Sequence, residues 1–315
     1  MANLKINEMF IDVSVVIPAF QAQASIKRAL ESVLKQTVLP REIIVVDDGS
    51  TDNTADEVSA WIAQYSVPKL QLFRQENLGA GAARNKGVKF SSGKYIAFLD
   101  ADDEWETNKL EKSIEVIEKT GASLVSHDYL KIDGAEETFI NCEQHFNQQS
   151  NSYVKYFLRG YIATSTVLVL REVFVESGGF DPSLLSAQDY ELWLTIIALP
   201  NIKHVVFSGA FARYHVTPLS ITSNVKQRYK ASLRILYQHL PELARHSSWS
   251  FWVAGLRSMI ICLQAVQGYL KAGKYFSALA VTSNFWVEII KIMFQIKGEY
   301  RKRPNFMSDT KGLTE

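Results

Sequence analysis

Three carboxylates follow an apolar stretch of strand length. Asp100, Asp102 and Asp103 come directly after Tyr95–Leu99, and ligands of open α/β sheets lie beyond the carboxyl ends of the strands. Clustered carboxylates at such a place are hard oxygen ligands for magnesium or manganese, which also bind substrate phosphates. The acids therefore predict a divalent-cation site. The alternative is a solvated acidic turn before the helix that begins near Thr107.

Strands and helices alternate along the segments that would position these acids. The first predicted strands are Val13–Pro18, Glu42–Val46 and Lys69–Arg74. A helical pattern of apolar residues follows each, the third over Ala80–Phe90. Strict alternation predicts an α/β fold with a mostly parallel sheet flanked by helices, and it places the loops after Pro18, after Val46 and at the acid cluster on one edge.

Composition limits the class of protein. The 315 residues are 47% hydrophobic and 21% charged with a net charge of +1, as in globular proteins. Balanced charge argues against nucleic acid as a partner. Cys142 and Cys262 lack metal-ligand spacing and suit a reducing cytoplasm. Met1–Asp12 lacks the apolar core of a signal peptide, and no uncharged apolar run reaches about 18 residues, so we expect no membrane-spanning helix.

Four sequence blocks occur in the order typical of one enzyme family. They are Val15-Val16-Ile17-Pro18-Ala19-Phe20, Val45-Val46-Asp47-Asp48-Gly49-Ser50-Thr51-Asp52, Asn77-Leu78-Gly79 with Ala83-Arg84-Asn85, and Phe98-Leu99-Asp100-Ala101-Asp102-Asp103. Together they resemble the family 2 glycosyltransferases, which have the GT-A fold, over roughly Val13 to Ser223. The resemblance implies an inverting transferase that takes a sugar from a nucleotide-diphosphate donor.

The first two blocks are implied to bind the donor base. Asp48 would accept an N–H of the base, with uracil as the expected base, while the backbone of Pro18, Ala19 and Phe20 would line the same pocket. The alternative for Asp48 is a helix N-cap, a role that Ser50–Asp52 can also fill.

Arg84 and the acid cluster would complete the donor site. Arg84 supplies a cationic fork for phosphate or carboxylate, or else a structural clamp on Asp100 or Asp48. The resemblance makes Asp102 the metal ligand and places Asp100, with Ala101 beside it, against the donor ribose or sugar. A Mn²⁺ or Mg²⁺ ion there would act as a Lewis acid on the departing nucleoside diphosphate.

A later block carries the predicted catalytic base. Gly178–Asp181 and Ser186–Trp193 resemble the acceptor-side block of the family, where Glu-Asp is usual and this chain has Gln188-Asp189. Inverting transfer needs a carboxylate to take the acceptor hydroxyl proton. Asp189 is our candidate and Glu191 the fallback; the alternative for Asp189 is a helix cap. Gln188 removes a usual charge, which affects acceptor contacts or the tuning of Asp189.

One histidine belongs to a motif. His215 lies in Arg213–Ser220, which resembles a mobile loop whose histidine in some members joins the metal or contacts the diphosphate. We predict His215 as a second metal-site residue. The alternative is a packed or surface histidine.

Beyond Asn224 the pattern becomes helical. Two long helices are predicted over about Ser250–Leu270 and Tyr275–Ile296, joined by a turn at Lys271–Lys274. Polar residues form a narrow stripe on each, so the broad apolar remainder must be covered. We expect protein to cover it, either the catalytic domain or a second subunit. The alternative is peripheral membrane contact, because basic residues follow a tryptophan-bearing apolar face.

The predicted organisation is an N-terminal arm (1–12), a GT-A domain (13–224) and a helical extension (225–315). The predicted function is sugar transfer to a glycan or lipid-linked acceptor in polysaccharide biosynthesis, in the cytoplasm or at the cytoplasmic face of the membrane. A non-catalytic nucleotide-sugar-binding subunit is one alternative. A phosphohydrolase of the haloacid-dehalogenase type is another, though Glu104 departs from the pattern of that class. A dinucleotide oxidoreductase is not expected, because no Gly-x-Gly-x-x-Gly follows the first strand.

Overall fold

The structure is a computed structural model that describes residues 10–65, 68–146, 152–217 and 224–302. It divides into two compact units. The first contains residues 1–152 and 160–223, and the second contains residues 153–159 and 224–315. No sequence pattern predicts that the short segment 153–159 belongs to the helical unit. Residues 1–9 of the predicted arm lie outside the described ranges, and the rest of the arm belongs to the first strand.

Among the described residues of the first unit, eleven strands and eight α-helices begin. The strands are β1 (Phe10–Ala19), β2 (Leu39–Asp47), β3 (Lys69–Arg74), β4 (Tyr95–Phe98), β5 (Glu104–Trp105), β6 (Leu124–His127), β7 (Tyr129–Asp133), β8 (Glu136–Ile140), β9 (Leu168–Leu170), β10 (His204–Phe207) and β11 (Ala212–His215). The helices are α1 (Ile26–Leu34), α2 (Thr54–Gln64), α3 (Ala80–Phe90), α4 (Lys109–Thr120), α5 (Cys142–Phe146), α6 (Ser152–Leu158), α7 (Arg171–Glu176) and α8 (Gln188–Ala198). All of α6 except Ser152 belongs to the second unit.

A seven-stranded sheet forms the centre of the first unit, in the order β10-β6-β9-β4-β1-β2-β3. β1 pairs in parallel with β2 and β4, β2 with β3, and β6 with β10. β9 runs antiparallel to both of its neighbours. The central strands are β-branched and fully buried, as a sheet covered on both faces requires. The predicted mostly parallel α/β sheet is confirmed.

Helix α3 lies unusually close to this sheet. A Cβ at Gly87 would come within 2.4 Å of the Val16 Cγ1 atom of β1. Only glycine fits that position without a shift of the buried Val16 side chain or of α3, so α3 lies directly against β1. The close packing fixes where the side chains of α3 reach the edge of the sheet.

A second, four-stranded sheet has the order β5-β11-β7-β8. β11 is antiparallel to β5 and parallel to β7, and β7 and β8 form an antiparallel pair. Residues Leu99–Asp103 connect β4 of the large sheet to β5 of the small one. The acid cluster therefore lies in the link between the two sheets, beside the strand that ends at His215.

Helices make up the second unit. After α6 they are α9 (Val225–Gln238), α10 (Leu240–His246), α11 (Ser250–Lys271) and α12 (Tyr275–Lys302). Both long helices begin at the predicted residues, with Gly273 at φ +68° in the turn between them, but α12 continues past its predicted end at Ile296 to Lys302. Both are long and apolar enough to cross a membrane by length and composition alone. Length and composition alone do not test the expectation that neither helix spans a membrane, so that expectation stays a prediction.

Polar residues of the two long helices point partly inward. Ser250, Arg257 and Ser258 of α11 and Glu288 of α12 are buried. Large apolar side chains are exposed instead, at Trp252, Leu256, Met259, Leu263, Leu270, Phe276, Leu279, Trp286, Ile290 and Phe294. The predicted polar stripe thus contributes to the interior of the unit, and much of the apolar surface faces solvent.

Candidate active site

The acid cluster is tied to two distant segments through Asp103. This carboxylate is buried; it accepts the Ser165 hydroxyl at 2.5 Å and the backbone N–H of His215 at 3.0 Å. Burial, and next the charges of Asp100 and Asp102, raise the pKa of Asp103 well above its usual range. Asp103 therefore organises the turn, and the more exposed Asp100 and Asp102 are left to face ligands.

Ser165 is a contact point that sequence reasoning missed. It lies in a 3₁₀ turn, Thr164–Thr166, just before β9. Its hydroxyl donates to Asp103 and accepts the backbone N–H of Asp100 at 3.2 Å, and its carbonyl accepts the indole N–H of Trp105 at 2.7 Å. The only signal in the sequence was a small polar run entering a short apolar strand, because the contact depends on β9 pairing with β4.

Asp102, the predicted metal ligand, is half-buried and has two further neighbours. Its carboxylate accepts the Thr217 hydroxyl at 3.2 Å, and its carbonyl accepts the Arg28 guanidinium. Burial, and next the charge of Asp100, raise the pKa of Asp102. Thr217 and Arg28 were not predicted, since both contacts arise from tertiary structure.

The donor set around Asp102 fits a hard cation that takes few protein ligands. Crowded carboxylates raise each other's pKa, and a bound cation relieves that repulsion. Magnesium typically needs only one or two protein carboxylates besides substrate phosphates. Among the described residues no group of three or more His, Cys, Asp and Glu side chains is arranged to hold a metal by itself.

His215 lies beside the acids, but its ring has another partner. The Nε2 atom is 3.0 Å from a carboxylate oxygen of Glu104, while the backbone N–H donates to Asp103. Its role at the metal stays a prediction, because Glu104 competes for the ring nitrogen. Residues 218–223 of the predicted mobile loop lie outside the described ranges.

Arg84 acts as a clamp on Asp100, one of its two predicted alternatives. Its Nη2 atom lies 2.5 Å from Asp100 Oδ1, and its guanidinium lies 5.1 Å from the centre of the Phe180 ring. The side chain is buried, yet its Nε atom has no hydrogen-bond partner within the described part of the chain. A buried cation with an unused N–H at this edge is suited to an anionic ligand.

Asp48 shapes the neighbouring loop. One carboxylate oxygen accepts the side-chain amide of Gln75 at 2.8 Å and the backbone N–H of Leu78 at 2.9 Å, and the other accepts the N–H of Gly79 at 2.8 Å. Asp48 thus fixes the backbone that leads into α3. Contact with a donor base stays a prediction, and the base would share oxygens that already accept three hydrogen bonds.

The segment from Pro18 to Phe20 lies between the acid cluster and Asp48, because β1 is between β4 and β2 in the sheet. The carbonyl of Ala19 accepts the backbone N–H of Asp48 at 2.8 Å, and the Phe20 side chain is exposed. An exposed aromatic ring at this edge offers a stacking surface for a ligand.

Asp189 is brought to the same site. It lies in the first turn of α8, half-buried, and accepts the N–H of Tyr190 at 2.8 Å. Burial raises the pKa of Asp189; the charge of Arg84 opposes this shift and that of Asp100 adds to it. Gln188, the residue before Asp189, lies 2.8 Å from a Cβ built at Gly81 of α3, the helix that carries Arg84, so the start of α8 meets the donor-side residues at one edge of the sheet.

The residues beside Asp189 point elsewhere. Gln188 donates to the carbonyl of Leu184, and a Cβ at Gly81 would lie 2.8 Å from its Oε1 atom, so this side chain packs on the start of α3. Glu191 is buried and accepts the Thr195 hydroxyl of its own helix at 3.0 Å. Gln188 therefore acts through packing, and Glu191 is poorly placed as an alternative base.

Known proteins are similar to this chain in sequence. The chain is 32% identical over 225 residues to the Escherichia coli UDP-Glc:alpha-D-GlcNAc-diphosphoundecaprenol beta-1,3-glucosyltransferase WfgD, covering 71% of this chain and 85% of that protein. It is 30% identical over 250 residues to the Erwinia amylovora amylovoran biosynthesis glycosyltransferase AmsB, with coverages of 76% and 82%.

Solved structures show the same fold. Staphylococcus aureus TarS 1-349 in complex with UDP-GlcNAc has a TM-score of 0.67 at 17% identity and covers 92% of this chain and 89% of that one. The Pyrobaculum calidifontis mannosyltransferase PcManGT in complex with GDP-Man and Mn²⁺ has a TM-score of 0.60 at 16% identity, with coverages of 93% and 88%.

The sequence model of glycosyl transferase family 2 matches residues 14–178. The matched range begins in β1 and contains the donor-side blocks, the acid cluster and Ser165. This chain therefore belongs to glycosyl transferase family 2 and is a glycosyltransferase.

Proposed function

We propose that the protein transfers a sugar from a nucleotide-diphosphate donor to an acceptor hydroxyl with inversion at the anomeric carbon. The observation that carries the proposal is the Arg84–Asp100 ion pair, two residues before Asp102, together with the packing of the start of α8, which carries Asp189, on the start of α3. A displacement at a sugar carbon needs positive charge near the leaving group and a separate base for the acceptor. The Arg84 guanidinium and the donor-side acids suit the first need, and Asp189 on α8 suits the second.

Asp189 is the proposed base. As the acceptor oxygen bonds to the anomeric carbon, its proton passes to Asp189 and the bond from that carbon to the diphosphate oxygen breaks. The raised pKa of Asp189 makes it a stronger proton acceptor than an exposed aspartate. Because the nucleoside diphosphate leaves as an anion, no protein acid is needed on that side.

The remaining residues would bind and orient the donor. Arg84 and Asp100 would contact its diphosphate and sugar, and Asp48 with Pro18–Phe20 would contact its base. Asp102, with His215 as a second candidate, would hold a Mn²⁺ or Mg²⁺ ion that stabilises negative charge on the diphosphate. PcManGT, with the same fold, was solved with GDP-Man and Mn²⁺, which supports this assignment.

We propose an acceptor that is part of a growing cell-surface polysaccharide and is carried on a lipid diphosphate. The names of WfgD, which includes a diphosphoundecaprenol acceptor, and of AmsB, which refers to amylovoran biosynthesis, support it. The reaction would occur at the cytoplasmic face of a membrane. Cys142 and Cys262 are both free buried thiols, which suits a reducing compartment.

The test measures release of nucleoside diphosphate from UDP-, GDP- and dTDP-sugars, with Mn²⁺, Mg²⁺ or chelator, in the presence of short-chain isoprenyl-diphosphate sugars. We expect metal-dependent release from one donor, abolished in Asp102→Ala and strongly reduced in Asp189→Asn. Asp133→Asn, which removes an exposed charge in the β7–β8 hairpin, is the matched control. Donor binding without release under any condition would instead indicate a non-catalytic binding subunit.

A further inference from the structure

Helix α11 presents an apolar face to solvent, on which Gln267 is the exposed polar residue between Leu263 and Leu270. Trp252, Leu256, Met259, Leu263 and Leu270 are exposed at spacings of four, three, four and seven residues, which places them on one side of a helix. Trp252 is 68% exposed. The described residues of this face between Trp252 and Leu270 include no charged side chain that is exposed.

Helix α12 repeats the arrangement. Its exposed apolar residues include Phe276, Leu279, Trp286, Ile290 and Phe294, again three, seven, four and four residues apart. Phe276 is 90% exposed and Trp286 is 69% exposed. Only 33% of the most apolar stretch of α11 and 22% of that of α12 is buried. Apolar faces of this extent on a folded chain mark a contact surface.

The opposite sides of both helices are fixed by polar contacts within the second unit. Arg257 of α11 donates to the carbonyl of Leu158 at 3.0 Å. Glu288 of α12 accepts the Tyr237 hydroxyl, and Gln295 donates to the carbonyl of Tyr237 at 3.2 Å. Rotating either helix to bury its apolar face would break these contacts, so the outward direction of the two faces is a fixed property of the unit.

These contacts also argue against a membrane-spanning pair. α9 is attached to the inner sides of the long helices and carries exposed Lys226, Arg228 and Lys230. Spanning would draw this charged helix towards the hydrocarbon, where each charge costs several kcal/mol. A helix with one apolar and one engaged polar side lies in the plane of the lipid interface instead.

The charges around the faces have one sign. In residues 249–298 every exposed charged side chain is a lysine, at Lys271, Lys274, Lys291 and Lys297. The one acidic residue, Glu288, is buried and paired with Lys291 at 2.8 Å. A second copy of the chain would set lysines against lysines, whereas an anionic lipid surface complements them. Side chains beyond residue 298, including the predicted basic cluster at 301–303, lie outside the described part.

We propose, on the basis of the lipid-linked acceptor proposed above, that the exposed faces of α11 and α12 dock on the anionic surface of a bilayer. The apolar side chains would enter the acyl boundary, with Trp252 and Trp286 at headgroup depth and Lys271, Lys274 and Lys297 against lipid phosphates. The enzyme would thereby be held on the surface in which its lipid-linked acceptor is anchored.

Flotation of the full chain with vesicles tests this proposal. We compare phosphatidylcholine vesicles with vesicles that also contain phosphatidylglycerol, without donor or acceptor. We expect binding to the anionic vesicles, weakened at least about tenfold in Trp252→Glu and in Trp286→Glu. Lys271→Gln and Lys274→Gln should each weaken it about fivefold at low salt. Val175→Glu, which changes a similarly exposed apolar residue on α7, is the control and should bind as wild type.

Three results would overturn the proposal. One is no binding to anionic vesicles. Another is vesicle binding that does not weaken at high salt, because a contact that depends on lysines is screened by salt. The third is a dimer in solution that Trp286→Glu dissociates while vesicle binding is unchanged, which would assign the face to a second copy. Release of nucleoside diphosphate in solution is measured separately, so failure of docking and failure of the proposed reaction are distinguishable.

Discussion

In the first unit, buried polar side chains at the ends of β4 and β11 and before β9 hold the acid cluster in place. In the second unit, buried polar side chains lie along helices and hold apolar faces outward. Asp103 and Ser165 illustrate the first pattern, and Arg257 and Glu288 the second. Burial of polar groups costs free energy unless they are hydrogen-bonded. Hydrogen-bonded buried polar groups therefore orient the side chains of the candidate site in the first unit, and they fix the direction of an exposed apolar surface in the second.

The largest effect is expected at Asp189. Asp189→Asn keeps the shape of the side chain but removes the proton acceptor, so we expect turnover to fall about 10²–10⁴-fold with little change in donor affinity. In the wild type, burial raises the pKa of Asp189, and the base works only when it is deprotonated. Activity should therefore fall as the pH drops through this raised pKa, above the usual aspartate range. A kcat that is unchanged in the variant would remove Asp189 from the reaction.

Ser165 should show the next largest effect. Ser165→Ala removes the hydroxyl that joins Asp103 to the backbone of Asp100, and we expect about a 10–100-fold loss of activity from the displaced acids. Thr166→Val is the control, since its buried hydroxyl donates to the Ala163 carbonyl of the same turn. If both variants lose stability equally and neither loses activity, Ser165 is structural only.

A pH-dependent stability is expected from Lys109 in the first unit. It is buried over the Trp105 ring, and burial lowers its pKa to about 7. The unfolded chain binds this proton up to a pH of about 10.4, so the free energy of unfolding should rise between pH 7 and pH 10, by at most about 1.4 kcal/mol per pH unit. Lys109→Met should flatten this rise in denaturant titrations. An identical slope in the variant would mean that Lys109 stays protonated in the fold.

The smallest effects separate the two sides of α11. Arg257→Leu removes the hydrogen bond to Leu158 and should cost about 1–3 kcal/mol of unfolding free energy. Leu263→Gln changes an exposed apolar residue of the same helix and should stay within about 0.5 kcal/mol. Thermal unfolding of the full chain compares them. A larger loss in Leu263→Gln would mean that its side chain is covered by protein in solution.

Periodicity predicted the elements where local pattern decides the structure. Lys69–Arg74 and Ala80–Phe90 have the bounds that the sequence predicted, and the acids lie where a strand ends. Position in the sheet could not be predicted in the same way. β9 is three residues long and antiparallel, so Ser165 reaches the acids only through a pairing that no local pattern encodes.

Side-chain direction was the harder prediction at the site as well. The pattern that suggested base recognition by Asp48 does not show the path of the loop at Leu78 and Gly79, whose N–H groups the carboxylate accepts. Similarly, the sequence shows that most of the surface of α11 and of α12 is apolar. Which side faces outward depends on partners such as Leu158 and Tyr237, which lie far away along the chain.

The assignment of 153–159 to the helical unit has a consequence for how the chain folds during synthesis. Tyr153, Tyr156 and Phe157 are buried, and the Tyr153 hydroxyl lies 3.1 Å from the Nδ1 atom of His239. The ribosome must add the whole stretch up to α9 and beyond before these aromatic rings find their partners. Until then they are exposed hydrophobic surface on a nascent chain. A truncation at residue 224 would make that exposure permanent, so we expect the first unit alone to aggregate.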